Sequence, residues 1–233
     1  MQCKKVIKMI GIDKEEGVVF FKKLAEKNEN VAIHISAFPA ELHIELCADE
    51  ENKKELKSVY NQIKEKCKEF IFSTNEEEEI EDVLVNHLTK NGLTITTAES
   101  CTGGLLSGRL INAPGASAVY KQGYITYSNK AKRKLIEVRK ETLKKYGAVS
   151  KQTAKEMAKG VALVANADVA LSVTGIAGPE GGTEEKPVGL VYIGCYYNGQ
   201  TKVEEHHFQG SRREVREQSV AWALALLKKC LEN

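Results

Sequence analysis

Glu99-Ser100-Cys101-Thr102-Gly103-Gly104 joins an apolar run, Leu93 to Ala98, to the start of a helical pattern. A hydroxyl at a strand-to-helix junction stands at a sheet edge beside backbone N–H groups that the helix leaves unpaired, and Gly103 and Gly104 let another molecule approach the backbone. A serine nucleophile with a backbone oxyanion hole requires this arrangement, because the N–H groups stabilise charge that appears only in the transition state. A helix N-cap serine followed by a glycine turn gives the same local pattern. The pattern alone does not separate the two.

A serine nucleophile needs a base, and none of the five histidines is placed by sequence to supply it. Lys132 stands in the first turn of a helix that follows Thr126-Tyr127-Ser128-Asn129. An ammonium near a helix N-terminus opposes the macrodipole, which favours the neutral, basic form. Tyr127 is positioned to pass or orient a proton in such a pair. The competing reading is a solvated basic face made of Lys130, Lys132, Arg133 and Lys134. Cys101 offers a different nucleophile, since a thiol at a helix N-terminus is activated, but it lacks a histidine partner.

Two further stretches carry ligand-binding character. Thr174-Gly175-Ile176-Ala177-Gly178-Pro179 continues through Gly181-Gly182-Thr183 and follows an apolar strand, at the sheet edge where α/β folds bind ligands. Its small residues suit wrapping around a ligand, with Thr174 supplying a hydroxyl; an unliganded mobile loop is the alternative. It has no G-K-[ST] and is not a P-loop. Gly210-Ser211-Arg212 opens the last helix, where free N–H groups and an arginine would make a phosphate site. A plain serine cap with a solvated arginine is equally compatible.

The elements that must position these residues follow from periodicity. Residues 1–75 read as a small α/β unit: a strand over Val6 to Ile12, a helix over Lys14 to Lys27, a hairpin of Val31 to Phe38 and Leu42 to Ala48, and a helix over Glu51 to Phe70. Ser73 to Glu79 is both a polar linker and a helix start. Residues 76–233 alternate helix and strand: helix Glu79 to Lys90, strand Leu93 to Ala98, a helix opening at Thr102, strand Ala118 to Tyr127 and a helix from Ser128. Helix Lys151 to Asn166, strand Asp168 to Thr174, a hairpin through Asn198-Gly199 and helix Ser211 to Leu231 complete the chain. The expected class is α/β: a three-layer α/β/α domain with a mixed sheet, preceded by the small α/β domain.

Composition narrows the function. A hydrophobic share of 42% with 28% charged residues is that of an ordinary folded protein, and a formal charge of +2 over 233 residues offers no general attraction to nucleic acid or anionic lipid. No apolar run approaches the ~20 residues of a membrane helix, and no signal peptide is evident, so a cytoplasmic location is expected. The six cysteines form no C-x-x-C pair and are read as reduced, packed side chains. Adjacent His206 and His207 point to opposite faces of a strand, and no metal site is expected.

Taken in order, the motifs from Thr97 to Gly104, Gly123 to Asn129, Gly147 to Ser150, Thr174 to Pro179 and Gly181 to Gly189 resemble the CinA C-terminal domain family. The resemblance implies deamidation of nicotinamide mononucleotide to nicotinate mononucleotide and ammonia, by a serine–lysine mechanism with a tyrosine and without metal or cofactor. It implies Ser100, Tyr127 and Lys132 as catalytic residues, with Ser117 of Gly115-Ala116-Ser117-Ala118 as a second family serine that attacks, relays a proton or binds the ring. Thr174 and Arg212 match ligand-binding positions, beside Gly103, Gly104 and Gly175. A pyridine nucleotide is thus the expected partner, and the family's tendency implies a homodimer. Residues 1–75 resemble the small KH-type middle domain of full-length CinA proteins. They carry no Gly-x-x-Gly loop, so nucleic acid is not an expected partner.

Overall fold

The computed structural model describes residues 2–232, and the chain divides into two compact units, Met1–Val83 and Leu84–Asn233. The first contains β1 (Gln2–Ile10), α1 (Lys14–Glu26), β2 (Ala32–Phe38), β3 (Glu41–Asp49), α2 (Lys53–Lys66) and β4 (Ile71–Ser73). Its sheet runs β2-β3-β1-β4, antiparallel throughout, which is the split β-α-β arrangement. Asp13 opens α1 by accepting from the N–H groups of Glu15 and Glu16. Strand alternation turns Ile7 and Met9 of β1 and Leu42, Ile44 and Leu46 of β3 to one face, where Phe21, Leu56, Val59 and Ile63 cover them. Each such burial stabilises by roughly 1.5–3 kcal/mol. Three-residue β4 was invisible to periodicity; it is held by pairing with Lys8 and Met9.

Helix α3 (Ile80–Lys90) contains the division between the units. After it come β5 (Ile95–Glu99), α4 (Leu105–Ile111), α5 (Ala116–Val119), β6 (Tyr120–Ile125), α6 (Asn129–Ile136), α7 (Lys140–Tyr146) and α8 (Lys151–Ala165). The chain ends with β7 (Val169–Gly175), β8 (Leu190–Tyr197), β9 (Gln200–His207) and α9 (Arg212–Leu231). The sheet order is β6-β5-β7-β8-β9, with β5 parallel to β6 and β7 and the last two pairings antiparallel. Ala98 and Ala170 face Ile136, Val138, Leu143, Met157 and Val161 of the α6–α8 layer. On the opposite face Thr97 Oγ1 meets Ser107 Oγ of α4 at 2.9 Å, and α9 packs on β7, β8 and α4. The expected mixed-sheet α/β/α sandwich is therefore present.

Three local differences bear on the site. The helix expected at Thr102 begins only at Leu105, because Gly103 (φ 58°) and Gly104 (φ 99°) are left-handed and form a turn ahead of it. The strand expected from Ala118 begins at Tyr120, since Gly115 at φ 83° starts the short helix α5. Helix α7 was not foreseen; its seven residues give too little periodicity.

Gly160 sets how closely α8 approaches α6. A Cβ there would lie 2.0 Å from the Ile136 carbonyl oxygen. Gly160→Ala is therefore expected to lower stability by about 1–3 kcal/mol, although alanine is the better helix former. It should also reduce activity, because α6 carries Lys132. A thermal melt with an unchanged or higher midpoint would show that α6 accommodates the methyl group without strain.

Candidate active site

Strand periodicity decides what stands at the sheet's edge. Ala98 faces the α6–α8 layer, Glu99 faces α4, and Ser100 returns to the α6 side while its N–H still bonds Val173 O at 2.9 Å. Beside it, the Thr126 N–H donates to Glu99 O at 2.7 Å, carrying the chain from β6 into α6. Ser128 caps α6 by accepting from the Ala131 N–H. Within α6 the buried residues are Lys132 and Ile136, one turn apart on the inward face. Lys132 is 1% exposed, and its Nζ donates to Ser100 Oγ at 2.8 Å and Thr126 O at 2.7 Å.

No carboxylate pairs with Lys132 among the described residues, so nothing offsets the penalty of a buried ammonium. Burial pushes its pKa down from 10.5 to about 8, with the Cys101 thiol acting weakly the other way. Desolvation, and not the helix dipole expected from the sequence, is the principal cause. The alternative solvated face is excluded for Lys132, although Lys130, Arg133 and Lys134 are exposed. Burial also pushes Cys101 up, to about 11, so near neutral pH it is a thiol and not the activated thiolate a cysteine hydrolase needs.

Glu99 changes the expected oxyanion hole. Its fully buried carboxylate accepts from the N–H groups of Gly104 (2.9 Å), Leu106 (3.1 Å) and Ser107 (2.9 Å), and from Ser107 Oγ. The helix N–H groups, Gly104's included, are expected from the sequence to be unpaired, but the Glu99 carboxyl group already holds them. Ser107 continues into a buried hydroxyl network with Thr97 and Tyr120. Glu99 was missed although it stands in the motif itself: an acid just ahead of a glycine turn and a helix is a capping signal.

The other residues singled out from sequence are distributed as follows. Tyr127 is 63% exposed, and its hydroxyl accepts from Arg212 Nη2 at 3.3 Å. Arg212 Nη1 also donates to Gly178 O at 2.8 Å, so it joins the β6 edge to the 176–189 loop. That loop is tied down again by Lys186, whose Nζ donates to Tyr146 O and Val149 O, both at 2.7 Å. Thr174 is 1% exposed and its hydroxyl donates to Ala148 O at 2.8 Å, which supports the loop instead of leaving a donor free for ligand. Gly175 is required by packing: a Cβ would come 2.5 Å from Val191 Cγ2. Ser117 lies exposed on α5, and its side chain has no hydrogen bond to Ser100 or Lys132. The N–H groups proposed to bind phosphate are also partly committed, because Ser211 and Glu214 form a capping box in which the Ser211 N–H donates to Glu214 Oε2 at 2.7 Å. Of the expected phosphate-binding groups, the Ser211 N–H is the one committed in this way.

In the Met1–Val83 unit, Glu41, His43 and Glu79 bring ligand-type atoms within 4.8 Å of one another. Lys8 Nζ lies 2.8 Å from Glu79 Oε1, so the group is already an ion-pair cluster with its own cation. Two surface cavities of about 600 Å³ and 590 Å³, at Cys195 and Cys230 and at Leu93 and Asn198, contain none of the serine–lysine residues. Among the described residues no helix is long and apolar enough to cross a membrane.

Residues 77–231 match the CinA C-terminal domain family. A CinA-like protein from Kosmotoga olearia is 44% identical over 231 residues, covering 97% of this chain and 56% of the relative. A competence-damage inducible protein from Clostridium novyi is 44% identical over 229 residues, with shares of 97% and 55%. The chain thus spans about half the length of these curated relatives. Among solved structures, the competence/damage inducible protein CihA from Agrobacterium tumefaciens is 41% identical with a TM-score of 0.62, covering 69% of this chain and 100% of that one. A CinA superfamily protein from Klebsiella pneumoniae is 37% identical with a TM-score of 0.63, with shares of 66% and 96%. The chain belongs to the CinA C-terminal domain family.

Proposed function

We propose that the Leu84–Asn233 unit is an amidohydrolase with Ser100 as nucleophile and Lys132 as general base, and that it deamidates nicotinamide mononucleotide. The observation that carries the reading is the 2.8 Å contact between Ser100 Oγ and a buried lysine amine whose pKa is pushed to about 8. Neutral Lys132 takes the serine proton as Oγ bonds to the carboxamide carbon. The resulting Lys132 ammonium returns that proton to the departing nitrogen, releasing ammonia and leaving a nicotinoyl ester on Ser100. Lys132, neutral again, then deprotonates a water that hydrolyses the ester. Carboxamide plus water becomes carboxylic acid plus ammonia, and the serine is regenerated.

The mononucleotide is supported by the family resemblance and by Arg212, an exposed cation beside Tyr127. Arg212 uses two of its five N–H donors on Tyr127 and Gly178, which leaves others to meet the 5′-phosphate. For the Met1–Val83 unit the proposal is a CinA middle domain of KH-type character, supported by the resemblance; lacking Gly-x-x-Gly, it is given no RNA-clamping role.

Ammonia release should be seen with nicotinamide mononucleotide and be much weaker with nicotinamide riboside, glutamine or asparagine. Hydrolysis of glutamine or asparagine with none of the mononucleotide would overturn the substrate. A charge-assisted bond of roughly 2.7 kcal/mol corresponds to about a hundredfold in catalytic efficiency. Arg212→Ala should therefore lose about a hundredfold on the mononucleotide and little on the riboside, which has no phosphate to lose. Equal losses on both substrates would mean that Arg212 serves the loop and not the phosphate.

A further inference from the structure

A serine attack builds negative charge on the carboxamide oxygen, and with Glu99 capping α4 that oxygen needs donors elsewhere. The N–H groups around the nucleophile can be followed one by one. Ser100 donates to Val173 O, Leu105 to Thr102 O at 3.3 Å, and Gly104, Leu106 and Ser107 to Glu99. From Ser100 to Ser107, the N–H groups of Cys101, Thr102 and Gly103 have no acceptor among the described residues.

In two of these three peptide groups, those that carry the Thr102 and Gly103 N–H, the carbonyl is held from one direction. Arg216 of α9 donates through Nε to Cys101 O at 3.0 Å and through Nη2 to Thr102 O at 2.8 Å. In a planar trans peptide the N–H points opposite to the C=O. Fixing the two oxygens on Arg216 therefore turns the Thr102 and Gly103 N–H groups away from α9. The guanidinium is planar with donors in a fixed fork, so both peptide planes are set together. Gly103 is exposed, and its φ of 58° is the backbone conformation the turn requires; a Cβ there would meet only Arg216 Nη2, at 3.6 Å. Arg216 lies one helical turn after Arg212, so one face of α9 serves both the loop and the turn after Ser100.

We propose that the backbone N–H groups of Thr102 and Gly103 form the oxyanion hole for attack by Ser100, and that Arg216 is the positioning residue that holds them. This rests on Ser100 as nucleophile. No bond is made or broken by Arg216; it acts through the backbone.

The test uses the full chain, Arg216→Met and Arg216→Lys, and a substrate analogue with an aldehyde in place of the carboxamide. The serine adds to such an aldehyde and places an oxyanion where the reaction does. Losing alignment of the hole should lower kcat on nicotinamide mononucleotide by about 10²-fold in Arg216→Met, with KM changed little. Aldehyde affinity should fall by the same factor, while nicotinate mononucleotide, which forms no adduct, should bind within about twofold of wild type. Arg216→Lys should recover only part, since one ammonium cannot reproduce the fork, and it supplies the measurement if the methionine variant fails to fold. Unchanged kcat and aldehyde affinity in both variants overturn the proposal, as does an equal loss of product binding, which marks general disruption. If wild type forms no aldehyde adduct on Ser100, the nucleophile itself is wrong and the proposal falls with it.

Discussion

Ser100→Ala is expected to lose about 10⁴-fold or more in kcat on nicotinamide mononucleotide, and Lys132→Met a similar factor. The double variant should be no slower than the worse single one, because the two side chains act as a unit: without the hydroxyl the amine has nothing to activate, and without the amine the hydroxyl stays protonated. Both variants should fold. Ser100 is small and 8% exposed, and in its absence Lys132 keeps its bond to Thr126 O. Cys101→Ala is the control, and it should keep most of the activity, since that thiol is buried and un-ionised. Single-turnover assays with mass analysis of the trapped ester locate the nucleophile. An acyl group on Ser117, or an inactive but folded Cys101→Ala beside an active Ser100→Ala, would remove Ser100 from the mechanism.

What joined this pair in advance was the CinA resemblance, because the local pattern of each residue left a structural reading open. Ser100 follows an apolar strand and precedes two glycines, which fits an N-cap serine equally, and Lys132 stands in the first turn of its helix, within a basic stretch that fits a solvated face. The sequence could not show that Lys132 alone, within a run of four basic residues, loses its solvent. That depends on where α6 docks, and docking is set by contacts such as Gly160 against Ile136 O. Arg216 was unreadable for the same reason: its partners are 114 and 115 residues away, and a lone arginine on a helix is normally solvated. Other signals were present but read for chemistry before structure. Ser211-Arg212-Arg213-Glu214 has the spacing of a capping box, which commits the N–H assigned to phosphate. The sheet and its hairpin were legible because alternation and the Asn198-Gly199 turn are local; β4, α5 and α7 were too short to declare themselves.

The pH dependence of Lys132 should separate its two roles. As a base it works only when neutral, so kcat/KM is expected to rise about tenfold per pH unit below the lysine's pKa and level off above about 8. Cys101, its titratable neighbour, stays a thiol through this range with its pKa near 11. Stability should follow the same group with a definite sign. The folded-state pKa, about 8, lies below the ordinary 10.5, so between these values the unfolded chain binds more protons and stability increases with pH. Below about 8 the penalty for a buried ammonium is fully present, on the order of 3 kcal/mol at about 1.4 kcal/mol per pH unit. Lys132→Met removes that charge but leaves Thr126 O without its donor, which costs about 1–3 kcal/mol. The variant should therefore gain stability relative to wild type as pH falls from 10 to 7, whatever its absolute value, while being catalytically dead. Urea unfolding of both proteins at pH 7 and pH 10 measures the difference. A gap between the two that does not change with pH, together with flat kcat/KM between pH 6 and 9, would mean that Lys132 does not titrate in this range and is not the base.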